Sequence, residues 1–156
     1  MFGDEWSANN PAIQILDTNT HHISTIPGSE GLFSPRWSPD GRYIAALSTD
    51  FTKLMLFDFQ MRKWSPWLVE PAGAVSYPSW SADSKYLYFE DLVTGEDSIR
   101  RIRVGQDKPE SVFVLQGLDR YPGPLGLWNG RGADGSQVFV RDRSTQEVYG
   151  LDVKLP

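Results

Sequence analysis

The side chains best suited to metal binding are few, and their positions favour structural roles. His21 and His22 are the only histidines. Because neighbouring residues of a strand point to opposite faces, these two cannot readily bind one metal ion together. Asp17 and Asn19, with the threonines beside them, suggest a calcium loop, but the run lacks the glycine and the distal glutamate that such a loop requires. We therefore expect turns at both places and predict no metal and no cofactor.

Glu90 and Asp91 are the carboxylate pair to consider for acid–base chemistry. Two carboxylates that face each other across a cleft could hydrolyse a glycosidic bond. Consecutive acids after a strand are more typical of a solvated loop, and this is the interpretation that we favour. The chain contains no Gly-x-Ser-x-Gly elbow, no P-loop, no dinucleotide fingerprint and no cysteine. The sequence thus predicts a protein that is not an enzyme.

Composition and charge exclude several other classes. The 156 residues are 40% hydrophobic and 13% aromatic, which is enough to bury a core in a single domain. Twenty acidic and fifteen basic residues give a net charge of −5, and this charge disfavours a nucleic-acid partner. The sequence contains no signal-peptide pattern and no run of membrane-spanning length. We therefore predict no membrane insertion, and the compartment stays open.

A repeated stretch provides the elements that must position any site. The segment SPRWSPDGRYIAAL at 34–47 returns 43 positions later as YPSWSADSKYLYFE at 77–90. Each copy has a proline and a tryptophan, then a four-residue turn, then an aromatic and apolar run. Pro39 presets φ in the first turn, Asp40 can bond its own backbone, and Gly41 accepts the left-handed conformation. A period in the low forties without a helical pattern indicates β-propeller blades.

We predict an all-β fold of four-stranded antiparallel blades, a partial propeller of about three and a half blades. The predicted segments of this single domain are a leader at 1–12, the outer strands of an incomplete blade at 13–30, whole blades at 32–70 and 76–116, and a modified C-terminal blade at 120–156. The last blade is anchored on Tyr121 and Pro122 as a repeat of Tyr77 and Pro78, and strands are expected at 138–140 and 148–153. Because propeller rings close with four to eight blades, we expect either a longer parent chain or self-association through open blade faces.

The Trp-Ser-Pro-Asp-Gly turn at 37–41, with its weaker echo at 80–84, resembles the TolB-like, WD-related β-propeller repeats of bacteria. The ending at 140–156 resembles the C-terminal tail of bacterial proteins in which such a propeller follows a kinase or a winged-helix domain. The resemblance implies a non-catalytic module that binds a protein or peptide or acts as a sensor, as the C-terminal part of a larger signalling or regulatory protein. Ser84 departs from the pattern, since it replaces the turn glycine.

The candidate partner-binding residues fall into two groups. Inner-strand positions beside the repeated prolines would lie at the mouth of a central channel, and they are Ser34, Arg36, Tyr77, Ser79 and Tyr121. Trp64 and Trp67 flank Pro66 on an outer strand, where we expect exposure and a partner surface. Trp37 and Trp80, at equivalent repeat positions, are instead assigned to the core between blades.

Two alternatives to the binding module stay open. The chain could be a propeller-type enzyme such as a glycosidase, or a propeller that gates substrate for a prolyl peptidase. A third interpretation is purely structural, in which this segment only completes a ring and other blades bind the partner.

Overall fold

The computed structural model describes residues 10–71, 74–92, 97–123 and 126–145, together with the backbone of Phe2–Gly3. These parts of the chain form thirteen strands and no helix. Within them, accordingly, no helix has the length and apolar character needed to cross a membrane.

The strands form four antiparallel sheets. The first sheet contains β1 (Phe2–Gly3), β2 (Ile13–Leu16) and β3 (Ile23–Thr25). The second sheet contains β4 (Leu32–Trp37), β5 (Tyr43–Ser48), β6 (Lys53–Asp58) and β7 (Lys63–Val69). The third sheet contains β8 (Val75–Trp80), β9 (Tyr86–Asp91), β10 (Ser98–Arg103) and β11 (Glu110–Val114). The fourth sheet contains β12 (Asn129–Arg131) and β13 (Gln137–Phe139).

The first strands of successive sheets lie next to one another. β1 contacts β4, β4 contacts β8, and β8 contacts β12. Within the second and third sheets the spatial order of the strands follows the chain order, so each is an up-and-down meander. Meanders that meet along their first strands are the blades of a β-propeller. The predicted fold class is therefore confirmed.

Both copies of the repeated turn close in the same way. The Gly41 N–H donates to the Ser38 carbonyl at 2.9 Å, and the Ser84 N–H donates to the Ser81 carbonyl at 3.0 Å. Gly41 has φ of 76° and Ser84 has φ of 59°. Glycine adopts this left-handed conformation without the Cβ clash that a serine incurs. Ser84 makes a compensating bond, since its hydroxyl accepts the N–H of Asp40 in the neighbouring turn at 2.9 Å.

Two apolar clusters fill the spaces between the sheets. The cluster between the second and third sheets consists of Phe33, Ala45, Leu47, Leu54, Leu68, Val75, Leu87, Phe89 and Ile102. The cluster between the first and second sheets consists of Ile13, Ile26, Leu32, Ile44, Ala46 and Phe57. The middle strand β5 supplies alternate residues to both clusters, which explains its continuous apolar run.

The two ends of the chain differ from the sequence-based prediction. Phe2 and Gly3 pair with Gln14 and Ile13, so the segment predicted as a leader contains a strand. In the fourth sheet the strand next to β8 is β12, which begins eight residues after Tyr121. Tyr121 and Pro122 are therefore not the structural equivalents of Tyr77 and Pro78. The strand expected at 148–153 lies outside the described residues.

The equivalent tryptophans Trp37 and Trp80 have different surroundings. Trp80 Nε1 donates to the carbonyl of Arg36 in the second sheet at 2.9 Å, and its ring packs against the core cluster there. Trp37 Nε1 donates within its own turn, to the Gly41 carbonyl at 3.0 Å, and the residue is 39% exposed. The assignment to the core between blades is thus correct for Trp80 and wrong for Trp37, whose side chain stacks on Phe59 beside its own sheet.

Candidate functional site

The inner strands β4 and β8 carry a bulge at the same repeat position. The register with the neighbouring strand shifts between Phe33 and Arg36 in β4 and between Ser76 and Ser79 in β8. At each shift one residue adopts a left-handed conformation, Ser34 with φ of 52° and Tyr77 with φ of 49°. A non-glycine residue in this conformation costs free energy, and bulges of this kind redirect side chains near functional sites.

This repeated bulge brings four of the predicted binding residues onto two adjacent strands. They are Ser34 and Arg36 on β4, and Tyr77 and Ser79 on β8. Ser34, Tyr77 and Ser79 are partly buried, while Arg36 is exposed. β4 and β8 contact each other, so these four residues lie on two adjacent inner strands, and we call the two bulged segments together the inner-strand surface.

Arg36 is the charged group of the inner-strand surface. Its Nη1 donates to the Pro35 carbonyl at 3.0 Å. The ion pairs among the described residues do not include Arg36. The side chain reaches water, but protein packed around it desolvates the guanidinium and lowers the pKa of Arg36. An arginine remains protonated at neutral pH despite such a shift, so this surface presents a positive charge.

Tyr77 connects the inner-strand surface to a buried polar cluster between the third and fourth sheets. Burial raises the pKa of the Tyr77 phenol, the nearby Glu90 carboxylate raises it further, and Arg120 partly offsets the increase. A Cβ added at Gly126 would lie 3.3 Å from the Tyr77 hydroxyl. The loop that leads to the fourth sheet therefore packs directly on this tyrosine.

Glu90 is at the centre of the polar cluster. Its side chain is fully buried, and Arg120, whose side chain is 4% exposed, forms an ion pair with Glu90 Oε1 at 2.7 Å. Asn129 Nδ2 donates to Glu90 Oε2, and Gln137 Nε2 donates to Asn129 Oδ1 at 2.9 Å. A buried carboxylate persists only when such partners compensate for its lost hydration.

Arg120 also links this cluster to the surface. The same nitrogen that meets Glu90 lies 3.2 Å from Oδ2 of Asp97, a partly exposed residue. A cavity of about 350 Å³ is lined by Asp97, Leu115, Gln116, Gly117, Leu118, Arg120 and Leu127. A second cavity, of about 430 Å³, is lined by Asp119, Arg120, Asp142 and Ser144. Arg120 thus forms part of the wall of both.

The prediction that Glu90 and Asp91 lie in a solvated loop is wrong. Both belong to β9 and both are buried. Since neighbouring strand residues face opposite ways, Glu90 points towards the fourth sheet while Asp91 pairs with Arg100 at 2.6 Å. Arg100 also lies 3.5 Å from Glu70 at the end of the second sheet. The two carboxylates therefore stabilise different sheet contacts and cannot act on one substrate.

The structure does not bring the other three predicted residues to the inner-strand surface. Tyr121 is half exposed and lies outside the strands, where its N–H donates to the Val140 carbonyl at 2.9 Å. Trp64 and Trp67 lie on the outer strand β7, and both are partly buried rather than fully exposed. Trp64 packs on Phe57, and Trp67 Nε1 donates to the Gln106 carbonyl, between β10 and β11, at 2.9 Å.

The sequence did not predict that Glu90, Arg120 and Asn129 form one structural unit. The repeat itself contained a signal, because a spacing of 43 aligns Glu90 with Leu47. Leu47 is 2% exposed and lies in the apolar cluster. A carboxylate at a position that the repeat buries must have a buried partner. Arg120 and Asn129 carry no comparable signal, since the sequence around them does not repeat the motif of the first two copies.

The fold and the inner-strand surface define the class of protein, a β-propeller module. No family model matches the chain, and no curated protein matches it. Among solved structures, the chain is similar to the one assigned as TolB from Agrobacterium tumefaciens, with a TM-score of 0.65 and 20% identity over 88% of this chain and 48% of that chain. It is also similar to TolB from Acinetobacter baumannii, with a TM-score of 0.62 and 21% identity over 85% of this chain and 32% of that chain.

An enzyme shares the architecture. The oligogalacturonate lyase from Vibrio parahaemolyticus has a TM-score of 0.57 and 11% identity over 67% of this chain and 34% of that chain. This chain thus spans between about a third and a half of the proteins that it resembles. The fold of the chain is a TolB-like β-propeller fold.

Proposed function

We propose that this chain is a non-catalytic propeller module that recognises a protein or peptide at the inner-strand surface, within a larger bacterial signalling or regulatory protein. The observation that carries the proposal is Arg36. Arg42, Arg100, Arg101 and Arg120 form ion pairs among the described residues, whereas Arg36, like Arg103, forms none there. Arg36 differs in lying on an inner strand with protein packed around its guanidinium. A desolvated guanidinium on an inner propeller surface favours a carboxylate from a ligand.

The neighbouring groups suit an extended peptide. Ser34 and Ser79 carry hydroxyl groups, and the two bulges leave backbone polar groups of β4 and β8 outside regular pairing. Adaptable hydrogen-bonding groups around one fixed charge are common in peptide recognition sites. The ligand that we expect is therefore a peptide segment with an aspartate, a glutamate or a free C-terminus.

The test is selection of a phage-displayed random peptide library on the purified chain. Selected peptides are then synthesised and their affinities measured by calorimetry. We expect acidic peptides to be enriched, and Arg36→Gln to weaken their binding by about tenfold or more, the loss that follows removal of a charge-assisted hydrogen bond. Arg103→Gln is the matched control, because Arg103 is exposed on β10 and has no ion pair in the described chain. Absence of enrichment, or affinities indifferent to Arg36, would contradict the proposal.

The enzymatic alternative is tested on the same material. Glycosides, peptides and oligogalacturonate with Mn²⁺ are incubated with the protein, and product formation is followed. We expect no turnover above the blank. Turnover that disappears with Asp97→Asn, the carboxylate that borders the 350 Å³ cavity, would establish an enzyme and replace the binding proposal.

A further inference from the structure

The spaces between successive sheets are filled with different chemistry. The space between the second and third sheets holds nine buried apolar residues. The space between the third and fourth sheets holds three described ones, Tyr88, Ile99 and Leu115, with Phe139 packed against them. The remainder of this last space is occupied by the polar cluster around Glu90.

The repeat allows a direct comparison of the two spaces. Leu47 and Glu90 occupy equivalent positions, and each faces the sheet that follows its own. Burial of a leucine stabilises the contact by removing apolar surface from water. Burial of the Glu90–Arg120 pair is offset by the desolvation of both charges, so its net contribution is small even though breaking it is costly.

Other described contacts also join the fourth sheet to the third, since β12 lies beside β8 and Phe139 packs on the Tyr88 cluster. Arg131 lies with its guanidinium carbon 3.7 Å from the Tyr88 ring centroid. The part of this sheet that the structure describes consists of two strands of three residues each. The loop that leads to it contains Gly117 and Gly126, both with positive φ, which gives the backbone freedom to rearrange.

We propose that the fourth sheet is a latch that opens as a unit, and that the Glu90–Arg120 ion pair closes it. Opening separates the pair and hydrates both charges, which recovers the desolvation cost that closing imposes. It also uncovers Tyr88 and Glu90 together with the loop side of Tyr77. Opening the apolar contact between the second and third sheets would expose apolar side chains to water and hydrate no buried ion pair, so we expect this contact to stay closed.

The first experiment is hydrogen exchange with mass spectrometry on the whole unmodified chain. Amides of β12 and β13 are expected to exchange as one block, about a hundredfold faster than those of β5 and β9, because local units open at lower free energy than the global transition. Exchange of all four sheets in a single step at one rate would overturn the latch.

The second experiment varies the closing pair. Glu90→Gln leaves Arg120 with less compensation, and we expect the exchange of β12 and β13 to rise by about tenfold while β5 is unchanged. Glu110→Gln is the matched control, since Glu110 pairs with Arg101 at 2.5 Å in the same sheet but is exposed; we expect less than about a twofold change. Equal effects of the two substitutions would contradict the role of Glu90.

The double variant Glu90→Leu with Arg120→Met tests the comparison with Leu47. An apolar pair of similar size removes the desolvation cost, so exchange in β12 and β13 should slow to or below the unmodified rate. Faster exchange than in Glu90→Gln would contradict the proposal. If Glu90→Gln does not fold, Asn129→Ala replaces it: faster exchange confined to β12 and β13 supports the latch, and an unchanged rate contradicts it.

Discussion

At the scale of single residues, Ser84 shows why a departure from the repeat is retained. Its left-handed conformation would suit glycine, yet its hydroxyl accepts the Asp40 N–H across the gap between two turns. Ser84 thus accepts a strained backbone conformation and gains a hydrogen bond between two sheets. This hydrogen bond could not be predicted from the sequence, because it depends on how close the two turns lie in the folded chain.

Ser84→Ala is expected to destabilise the chain by about 1 to 2 kcal/mol, because the Asp40 N–H loses its partner while the backbone strain remains. Ser84→Gly loses the same bond but relieves the strain, so we expect a change within about 0.5 kcal/mol. Urea denaturation measures both, with Ser111→Ala as the control, since Ser111 is exposed on β11. A Gly variant less stable than the Ala variant would contradict this account.

At the scale of elements, equivalent strands differ in what their tryptophans hold together. Trp80 at the end of β8 bonds to the second sheet and packs 5.8 Å from the Trp67 ring, centroid to centroid. Trp37 at the end of β4 bonds to its own turn. Both copies of the repeat contain a tryptophan at this position. How much each tryptophan contributes to stability depends on whether a neighbouring sheet packs against it.

Trp80→Ala should therefore cost about 3 to 5 kcal/mol, the range for a large side chain removed from a core. Trp37→Ala should cost about 2 kcal/mol less, because 39% of the residue is already exposed. The free energies of unfolding of the two variants, measured in urea under one condition, provide the comparison. Equal losses would mean that Trp37 is buried in solution, for instance by a second copy that covers it.

At the scale of the whole molecule, one device recurs along the chain. An aspartate accepts bonds from a hydroxyl and a backbone N–H near it, as Asp50 does from Ser48 and Thr52, and Asp83 does from Ser81 and Lys85. These bonds lower the pKa of Asp50 and of Asp83 to about 2. The pKa values of Asp17, Asp40, Asp58, Asp134 and Asp142 are lowered as well.

A carboxyl whose pKa is lower in the folded state stabilises the fold above its unfolded pKa and loses that contribution as the pH falls through the folded value. We therefore expect the urea midpoint to be steady near neutral pH and to fall progressively between about pH 4 and pH 2. Asp50→Asn should make the fall shallower. A midpoint that stays constant down to about pH 2 would show that these turns form equally well with protonated aspartates.

The sequence alone determined the repeat, the turns and the all-β propeller class, because these depend on local chemistry: Pro39 and Gly41 select a turn conformation, and an apolar run such as 43–47 requires cover on both faces. The strands of the two whole blades were placed within a few residues for the same reason. The grouping of Ser34, Arg36, Tyr77 and Ser79 was also accessible, since equivalent repeat positions must recur on neighbouring inner strands.

Only the tertiary structure decided which faces are covered and by what. Glu90 is buried because Arg120 and Asn129 pack against it from residues whose sequence does not match the repeat. Trp37 is partly exposed, and among the described residues its ring nitrogen bonds to its own turn and not to a neighbouring sheet, as that of Trp80 does. Whether a side chain is buried depends on which residues of the neighbouring sheet face it, and the sequence of one strand does not specify those residues.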